Sequence, residues 1–346
     1  TTTQPHPHTR GPGDKTTQAR LTGAAVAALV ALGGCASAAD LELGQVRPQD
    51  ATIDKDLRAF STTVAEATGG DVNIEIFPAS ALGDYTTVQE RVSVGAVDMA
   101  TQPAATGADR RMQISSFPFL ASNWDQARAI YGPGGVVRDV MAELYAEQDI
   151  TMLAAYPVYF GGIALNTDPV NPGDPSQSNG IKVRVPGIKS FQLTGEALGY
   201  IPSPIPFSEA FTAIQTGVVD GVIGSGAEGY YASFRDVTKA YIPANTHFEV
   251  WYMIISNESL AALDADDQAA LKTAAEAFEA TRWTVAEEDQ GKWEQRLADE
   301  LGATVVDLTD DQLAAMATKV RAEVWPQVLE DVGADWGQAI LDQIGQ

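Results

Sequence analysis

One cysteine, Cys35, and three histidines, His6, His8 and His247, are all that 346 residues offer of those types. A single thiol cannot form an intramolecular disulfide. Zinc sites built from clustered histidine and cysteine, and nucleophilic catalysis by a cysteine–histidine pair, need more of both than the chain carries. A G-x-S-x-G nucleophile motif and a phosphate-binding glycine loop are missing too, so no cofactor and no metal is expected. Cations are few: 22 Lys and Arg stand against 46 Asp and Glu, a formal charge of −24. Such a surface repels nucleic acid and anionic membranes, and it makes any arginine aimed into a cleft conspicuous. Lysine is scarce beside the many acids, a composition that fits a salty habitat. What is present is ample apolar material, 45% of the residues, enough for two medium lobes or one large domain.

The longest early apolar run, residues 21–34, is short for a membrane span, which needs roughly 20 residues. Arg10, Lys15 and Arg20 precede it and Ala36-Ser37-Ala38 follows it, so residues 1–38 read as a secretory signal peptide. Leu32-Gly33-Gly34-Cys35 resembles a bacterial lipobox, in which Cys35 would carry a lipid anchor; cleavage after Ala38 would discard it. Both processing routes stay open, and both imply a periplasmic protein. The leader holds three cations and one anion, so its removal takes the formal charge from −24 to −26.

The chain is organised around residues 180–225. Ile181, Val183 and Val185 alternate with Lys182 and Arg184, the period of a strand. Pro186-Gly187 ends it, and a helix pattern follows through Phe191, Leu193 and Leu198 to Gly199. Pro202, Pro204 and Pro206 predict an extended link. Ser208 is a candidate cap for a second helix with Phe211 and Ile214 on one face, and residues 218–223 form a short apolar strand. The run K-V-R-V-P, the segment P-x-P-F-S-E-A-F-x-A-I-Q-T-G-V-V-D-G and the later H-F-E-V-W-Y resemble the solute-binding proteins of tripartite ATP-independent periplasmic (TRAP) transporters. The resemblance runs from about Leu41 to the last helices and also takes in F-P-A-S-A-L-G-D and V-G-A-V-D-M.

Read in order, the rest alternates strand and helix. Strands fall at Leu41–Leu43, Val72–Ile76 and Val97–Ala100. Helices marked by Ile53, Leu57, Phe60 and Val64, and by Val88 and Val92 behind an Asp84 cap, lie between them, the rhythm of a parallel α/β sheet. Thr101-Gln102-Pro103 then forms a loop at the carboxyl edge, where open sheets bind ligands. Residues 152–165 and 248–255 are strand-like, and 264–301 is a near-continuous helical pattern. Thr309 caps a further helix, broken at Trp325-Pro326. No internal repeat is visible. The resemblance implies a two-lobed α/β periplasmic binding protein fold with a hinge, crossed by a long helix. It puts residues 39–161 and 250–289 in one lobe and 162–249 and 290–346 in the other.

Arg184 leads the candidate residues, because a planar guanidinium grips a carboxylate through two parallel hydrogen bonds; in the family the arginine of K-x-R-V-P holds the substrate carboxylate. Phe207 falls where the family packs an aromatic on the ligand, with core packing as the plain alternative. Gly224 occupies a position that often carries Asn or a larger residue, leaving backbone N–H groups and the Ser225 hydroxyl as donors. That departure, and Ala164 where sialic acid binders place a second arginine, argue against a sialic acid. Gln102 is either a ligand contact or a capping amide, and Arg47 either a second anion contact or a surface cation. Phe160 and Trp251 fall near family pocket positions. Glu249 matches a site where some members help hold a bridging cation; Glu209 and Glu228 lie nearby in sequence. The resulting expectation is a monomeric, non-enzymatic binder that captures a small organic acid and delivers it to TRAP membrane permease subunits. A carboxylate-binding partner of a sensor, sharing the fold, and a hydrolase using paired carboxylates are the rivals.

Overall fold

The computed structural model describes residues 38–346; the expected signal peptide and Cys35 lie outside the described residues. The chain opens with β1 (Ala39–Gln45), α1 (Thr52–Ala67), β2 (Val72–Phe77), α2 (Tyr85–Ser93) and β3 (Met99–Gln102). A 3-10 segment (Arg110–Ser116), α3 (Trp124–Tyr131) and α4 (Val136–Ala146) lead to β4 (Ile150–Phe160) and β5 (Gly162–Leu165). Next come β6 (Lys182–Val185), α5 (Lys189–Ala197), β7 (Ile201–Pro204), α6 (Phe207–Gln215), β8 (Gly221–Ser225), α7 (Ala227–Phe234) and β9 (Ala240–Ile242). The chain closes with β10 (Phe248–Ser256), α8 (Asn257–Ala262), α9 (Ala265–Leu301), β11 (Thr304–Val305), α10 (Asp310–Glu323), α11 (Trp325–Val332) and α12 (Ala334–Ile344). No helix among the described residues is long and apolar enough to cross a membrane.

These strands make two mixed sheets, one to a lobe. The first runs β2-β1-β3-β10-β4, with β10 antiparallel to both of its neighbours; the second runs β11-β9-β5-β8-β6-β7, with β5 antiparallel to both of its neighbours. Alternation in β2 buries Val72 and Ile74 on one face, and Leu57, Phe60 and Val64 of α1 join the same core. The chain passes between sheets at Gly161, where β4 gives way to β5, and returns at residues 246–248. There Gly161 N–H donates to the His247 carbonyl at 2.8 Å and Thr246 N–H to the Gly161 carbonyl at 2.9 Å. Two adjacent strands hydrogen-bonded where they cross form a narrow bridge about which lobes of this kind close.

The long helix α9 lies behind this bridge. Asp264 caps it by accepting from the N–H groups of Asp266 and Asp267, and Gly302 ends it in the left-handed region at φ 65°. It is fastened to β4 along its length. Glu279 accepts two 2.8 Å bonds from Arg138 and one of 3.0 Å from Ala155 N–H; Arg282 Nε donates to the Pro157 carbonyl at 3.1 Å; Gln290 accepts from Phe160 N–H at 3.1 Å.

Three local expectations change. The proline-rich link is strand β7: Ile201 N–H donates to the Ile181 carbonyl and Ile205 N–H to that of Val185, while Pro202 and Pro204 fall on the alternate, outward-facing positions of an edge strand, where no N–H is needed. Ser208 does not cap α6, which starts behind Pro206 without a side-chain cap. Asp84, capping α2 in the other lobe, supplies the acceptor instead, taking Ser208 N–H at 3.4 Å and its hydroxyl at 3.3 Å. Thr101 and Gln102 belong to β3 rather than to the loop beyond it, because pairing with β10 carries the strand further than its apolar residues do. At the C-terminus Thr309 closes its capping box with Gln312, and α11 and α12 pack against the 3-10 segment and α4, beside the first sheet. Trp325 Nε1 donates to the Pro118 carbonyl at 2.8 Å and Gln113 to Asp331 at 2.9 Å. Asp331 of α11 also lies 3.6 Å from Lys189 of α5, so this segment touches elements beside both sheets.

Candidate functional site

The parallel strands of both sheets point their carboxyl ends at one cavity, the position open α/β sheets give to ligands. It holds about 570 Å³ of empty space, counting its open mouth. The loop after β1 brings Arg47, the loop after β3 brings Pro103 and Ala104, β6 ends in Arg184 and Pro186, and β8 brings Gly224. The start of β10 adds Glu249 and Trp251, and the first residue of α6 adds Phe207.

The two arginines are buried alike, each 2% exposed, but are answered differently. Arg47 Nε donates to Glu228 at 3.2 Å, and its Nη2 donates to Ser225 Oγ at 2.7 Å and to Glu249 at 3.3 Å. Burial pulls this guanidinium down, and Glu228 and Glu249 together more than offset it. Its plane lies over Trp251, 4.7 Å from the ring centre. Gly229, on the first turn of α7, makes the close approach possible: a β-carbon there would overlap Ser225 Oγ and the Arg47 guanidinium.

Arg184 has one hydrogen bond, from Nε to the Ile205 carbonyl at 2.8 Å. Among the described residues no carboxylate oxygen lies within 4.0 Å of it. Burial lowers its pKa, and the more distant Tyr85, Tyr230 and Asp84 do not restore it. An unpaired buried cation is costly, so its remaining donors, on the cavity wall, form a site for an anion. Gly224 is needed here for two reasons. Its φ is 129°, and a β-carbon would come within 3.0 Å of Pro186 and 3.3 Å of Arg184 Nη1. A side chain in its place would fill the space in front of the guanidinium.

Six of the nine residues proposed from sequence line this cavity: Arg47, Arg184, Phe207, Gly224, Glu249 and Trp251. The other three stand behind it. Ser225 holds Arg47 and donates to Glu249 at 2.9 Å. Gln102 donates to the Tyr85 backbone carbonyl at 2.6 Å, a supporting amide that seats the first residue of α2. Phe160 packs edge-on to Trp124 and Phe248 in the core. Glu249 accepts from Arg47, Ser225, Gly226 N–H and Trp251 Nε1, so both of its oxygens already have protein donors. Burial raises its carboxyl above the usual range, against Arg47 and Ser225.

Sequence reading missed Tyr85, Ser115, Ser116, Phe191 and His247 as lining. His247 entered only as one of three histidines and as the first residue of H-F-E-V-W-Y; burial pushes its pKa down to about 3, so it is neutral, and Thr246 Oγ1 lies 3.0 Å from its Nδ1. The H-F-E-V-W-Y run held this signal, since alternate residues of a strand start share one face. Ser115 and Ser116 come from a 3-10 segment that no apolar period marks.

The profile of the bacterial extracellular solute-binding proteins, family 7, matches residues 43–331. A solute-binding protein of Roseobacter denitrificans is 28% identical over 89% of this chain and 92% of its own. Its crystal structure, a TRAP periplasmic solute-binding protein with bound L-galactonate, superposes with a TM-score of 0.77 at 21% identity over 89% and 98% of the two chains. The C4-dicarboxylate-binding periplasmic protein of Rhodobacter capsulatus is 25% identical over 85% of this chain and 88% of its own. An extracytoplasmic solute receptor of Bordetella pertussis that binds pyroglutamic acid has a TM-score of 0.79 at 23% identity, covering 89% of this chain and all of that one.

Proposed function

This chain belongs to the bacterial extracellular solute-binding proteins of family 7, and from that premise we propose that Arg184 captures the carboxylate of a small organic acid in the cavity between the lobes. The observation that carries this reading is a buried guanidinium that has, among the described residues, one backbone bond and no carboxylate partner, set in a cavity wall. A carboxylate docked there gains charge-assisted, bidentate hydrogen bonds in a place from which water is largely removed. Phe207, Trp251 and Phe191 cover the apolar part of the ligand, and neutral groups at Tyr85, Ser115, Ser116 and His247 face its polar part. Closure about the Gly161 bridge shuts the cavity over it. Arg47 takes part as a hydrogen-bond donor; Gln102, Ser225 and Phe160 hold the lining residues in place.

The remainder of the function extends from capture. The protein works outside the cytoplasmic membrane as a receptor without turnover, and hands its ligand to TRAP permease subunits. The acids bound by its structural relatives, L-galactonate and pyroglutamic acid among them, fit a carboxylate-first mode of capture.

The test is a thermal-shift and calorimetric screen of protein refolded from denaturant, against a panel of organic acids, with Arg184→Ala in parallel. A ligand at about 100 times its Kd stabilises the folded state by about 2.7 kcal/mol. An acid that raises the wild-type melting temperature and leaves Arg184→Ala unmoved supports the reading. Equal stabilisation of both proteins removes Arg184 as the anchor, and chemical conversion of the bound acid would replace a receptor with an enzyme.

A further inference from the structure

Two arginines face one cavity, which on composition alone invites a ligand with two carboxylates. The geometry argues otherwise. Resting on the reading that Arg184 anchors a carboxylate, we infer that the cavity selects acids with a single carboxylate and an uncharged far end, and that Glu228 and Glu249 are the residues that impose this choice.

Arg47 carries one positive charge and has two carboxylates within 3.3 Å. With both ionised, the group of three bears a net negative charge; with Glu249 protonated it is neutral. In neither state does it attract an anion. Arg184, in contrast, is the cation among these residues that no carboxylate pairs. The Phe207 ring is near both guanidiniums, 5.7 Å from Arg184 and 5.6 Å from Arg47. A short acid held at Arg184 therefore directs its other end past Phe207 toward Arg47. A second carboxylate there would lose its water to meet a centre already neutralised, where low local dielectric strengthens any repulsion.

Arg47 still has donors to give. Its Nε is taken by Glu228 and its Nη2 by Ser225 and Glu249, while its Nη1 makes no hydrogen bond to the described residues. Nη1 can donate to a carbonyl, amide or hydroxyl oxygen, which brings no charge. Trp251 and Phe207, which Arg47 lies over, add an apolar wall to the same end. The ligand class is then a monocarboxylate with a neutral hydrogen-bond acceptor at the far end: a hydroxy acid, an amide or lactam acid, or a half-ester.

Glu228 acts from behind the wall, for it does not line the cavity; its effect reaches the ligand through Arg47. Glu228→Gln keeps the shape of the side chain and raises the charge of the group by one, to neutral with Glu249 ionised and to a net positive charge with Glu249 protonated. The structure thus contains a specificity switch one atom wide.

The test compares matched pairs by isothermal titration: succinate with succinamate, glutarate with glutaramate, and malonate with malonamate. Each pair shares a skeleton and differs in one charge. In the wild type at least one half-amide is expected to bind tenfold or more tightly than its diacid, a difference of about 1.4 kcal/mol. In Glu228→Gln and Glu249→Gln the diacid should gain about tenfold on its half-amide, with circular dichroism checking the fold. A diacid that binds wild type as well as its half-amide overturns the inference and leaves capture by Arg184 standing. Wild-type preference for half-amides that persists unchanged in both folded variants removes the glutamates from the explanation. Should the variants fail to fold, the wild-type pairs alone decide the ligand class. If no member of any pair binds refolded wild type, the inference falls together with organic-acid capture at this cavity.

Discussion

Replacing Arg184 by methionine keeps much of its volume and removes its charge. Because the buried guanidinium has no counter-ion among the described residues, the ligand-free variant should be as stable as wild type or up to about 1 kcal/mol more stable, since the charge no longer bears its desolvation cost. Acid binding should weaken by about 2–5 kcal/mol, the usual loss when one partner of a buried charge pair is truncated. Chemical denaturation of ligand-free protein and titration of the bound state check the two signs separately; a large loss of apo stability would contradict the account. His247 gives the pH dependence. It takes up a proton at about 6.5 when unfolded and at about 3 when buried, so the unfolded chain binds more protons between these values. Its contribution to stability is therefore whole above about pH 6.5 and declines as the pH falls toward 3, a loss of about 2 kcal/mol by about pH 5. Melting temperatures of wild type and His247→Gln, followed from neutral to mildly acid pH, should converge as the pH falls, if the variant folds as wild type does. At this scale the sequence displayed its cations well. Arg184 stood out because a long motif surrounds it and because so few positive charges compete with it. The state of Arg47 was hidden, because Glu228 and Gly229 meet it from a segment far along the chain and nothing local announces that contact.

Helix α9 shows which contacts hold an element. Asp264 is an exposed cap, and Asp264→Ala should cost about 1 kcal/mol. Glu279 is buried, pairs bidentately with Arg138 and accepts from Ala155 of β4; Glu279→Ala should cost about 3–5 kcal/mol, because it strands a half-buried arginine and a strand N–H. Urea unfolding distinguishes them, and similar losses from the two substitutions would mean that Glu279 does not fasten the helix. The same element was the most legible part of the chain, since its long pattern runs from an Asp cap to a Gly stop without a proline. Strand β7 was illegible for the opposite reason. Its prolines forbid a central strand, and only its place at the sheet edge, set by β6, allows them to pair. The partners of α11 and α12 were equally hidden: an apolar stripe tells that a helix packs, and not against which lobe.

At the scale of the molecule, the lobes meet at a contact that can open. Asp84 caps α2 with one oxygen and receives Ser208 of α6 with the other, so one half-buried carboxylate joins the two lobes. Asp84→Ala should speed ligand release several-fold while changing association little, as expected when affinity is tuned through the dissociation rate; stopped-flow displacement measures it, and an unchanged release rate would remove the clasp. The acidic surface gives another whole-molecule expectation. With a formal charge of −24, melting temperature should rise with salt between about 50 mM and about 1 M, as self-repulsion is screened; a flat response would mean that pairing already balances the charge. The alternation of strand and helix was legible in the pattern and the two-lobed plan only through the family resemblance, but the order of strands was not. In the first sheet β10 lies between β3 and β4, with Tyr252 beside Gln102 and Ala155. The strand that joins β4 to the rest of the sheet is thus the last of its five to be made. Until residues 248–256 leave the ribosome, β4 has no neighbour to join and the first lobe cannot be completed, however much of its sequence already exists. Contacts of such long sequence separation slow folding, and a chain cut before Phe248 would be left with an incomplete sheet and an open edge exposed to other molecules.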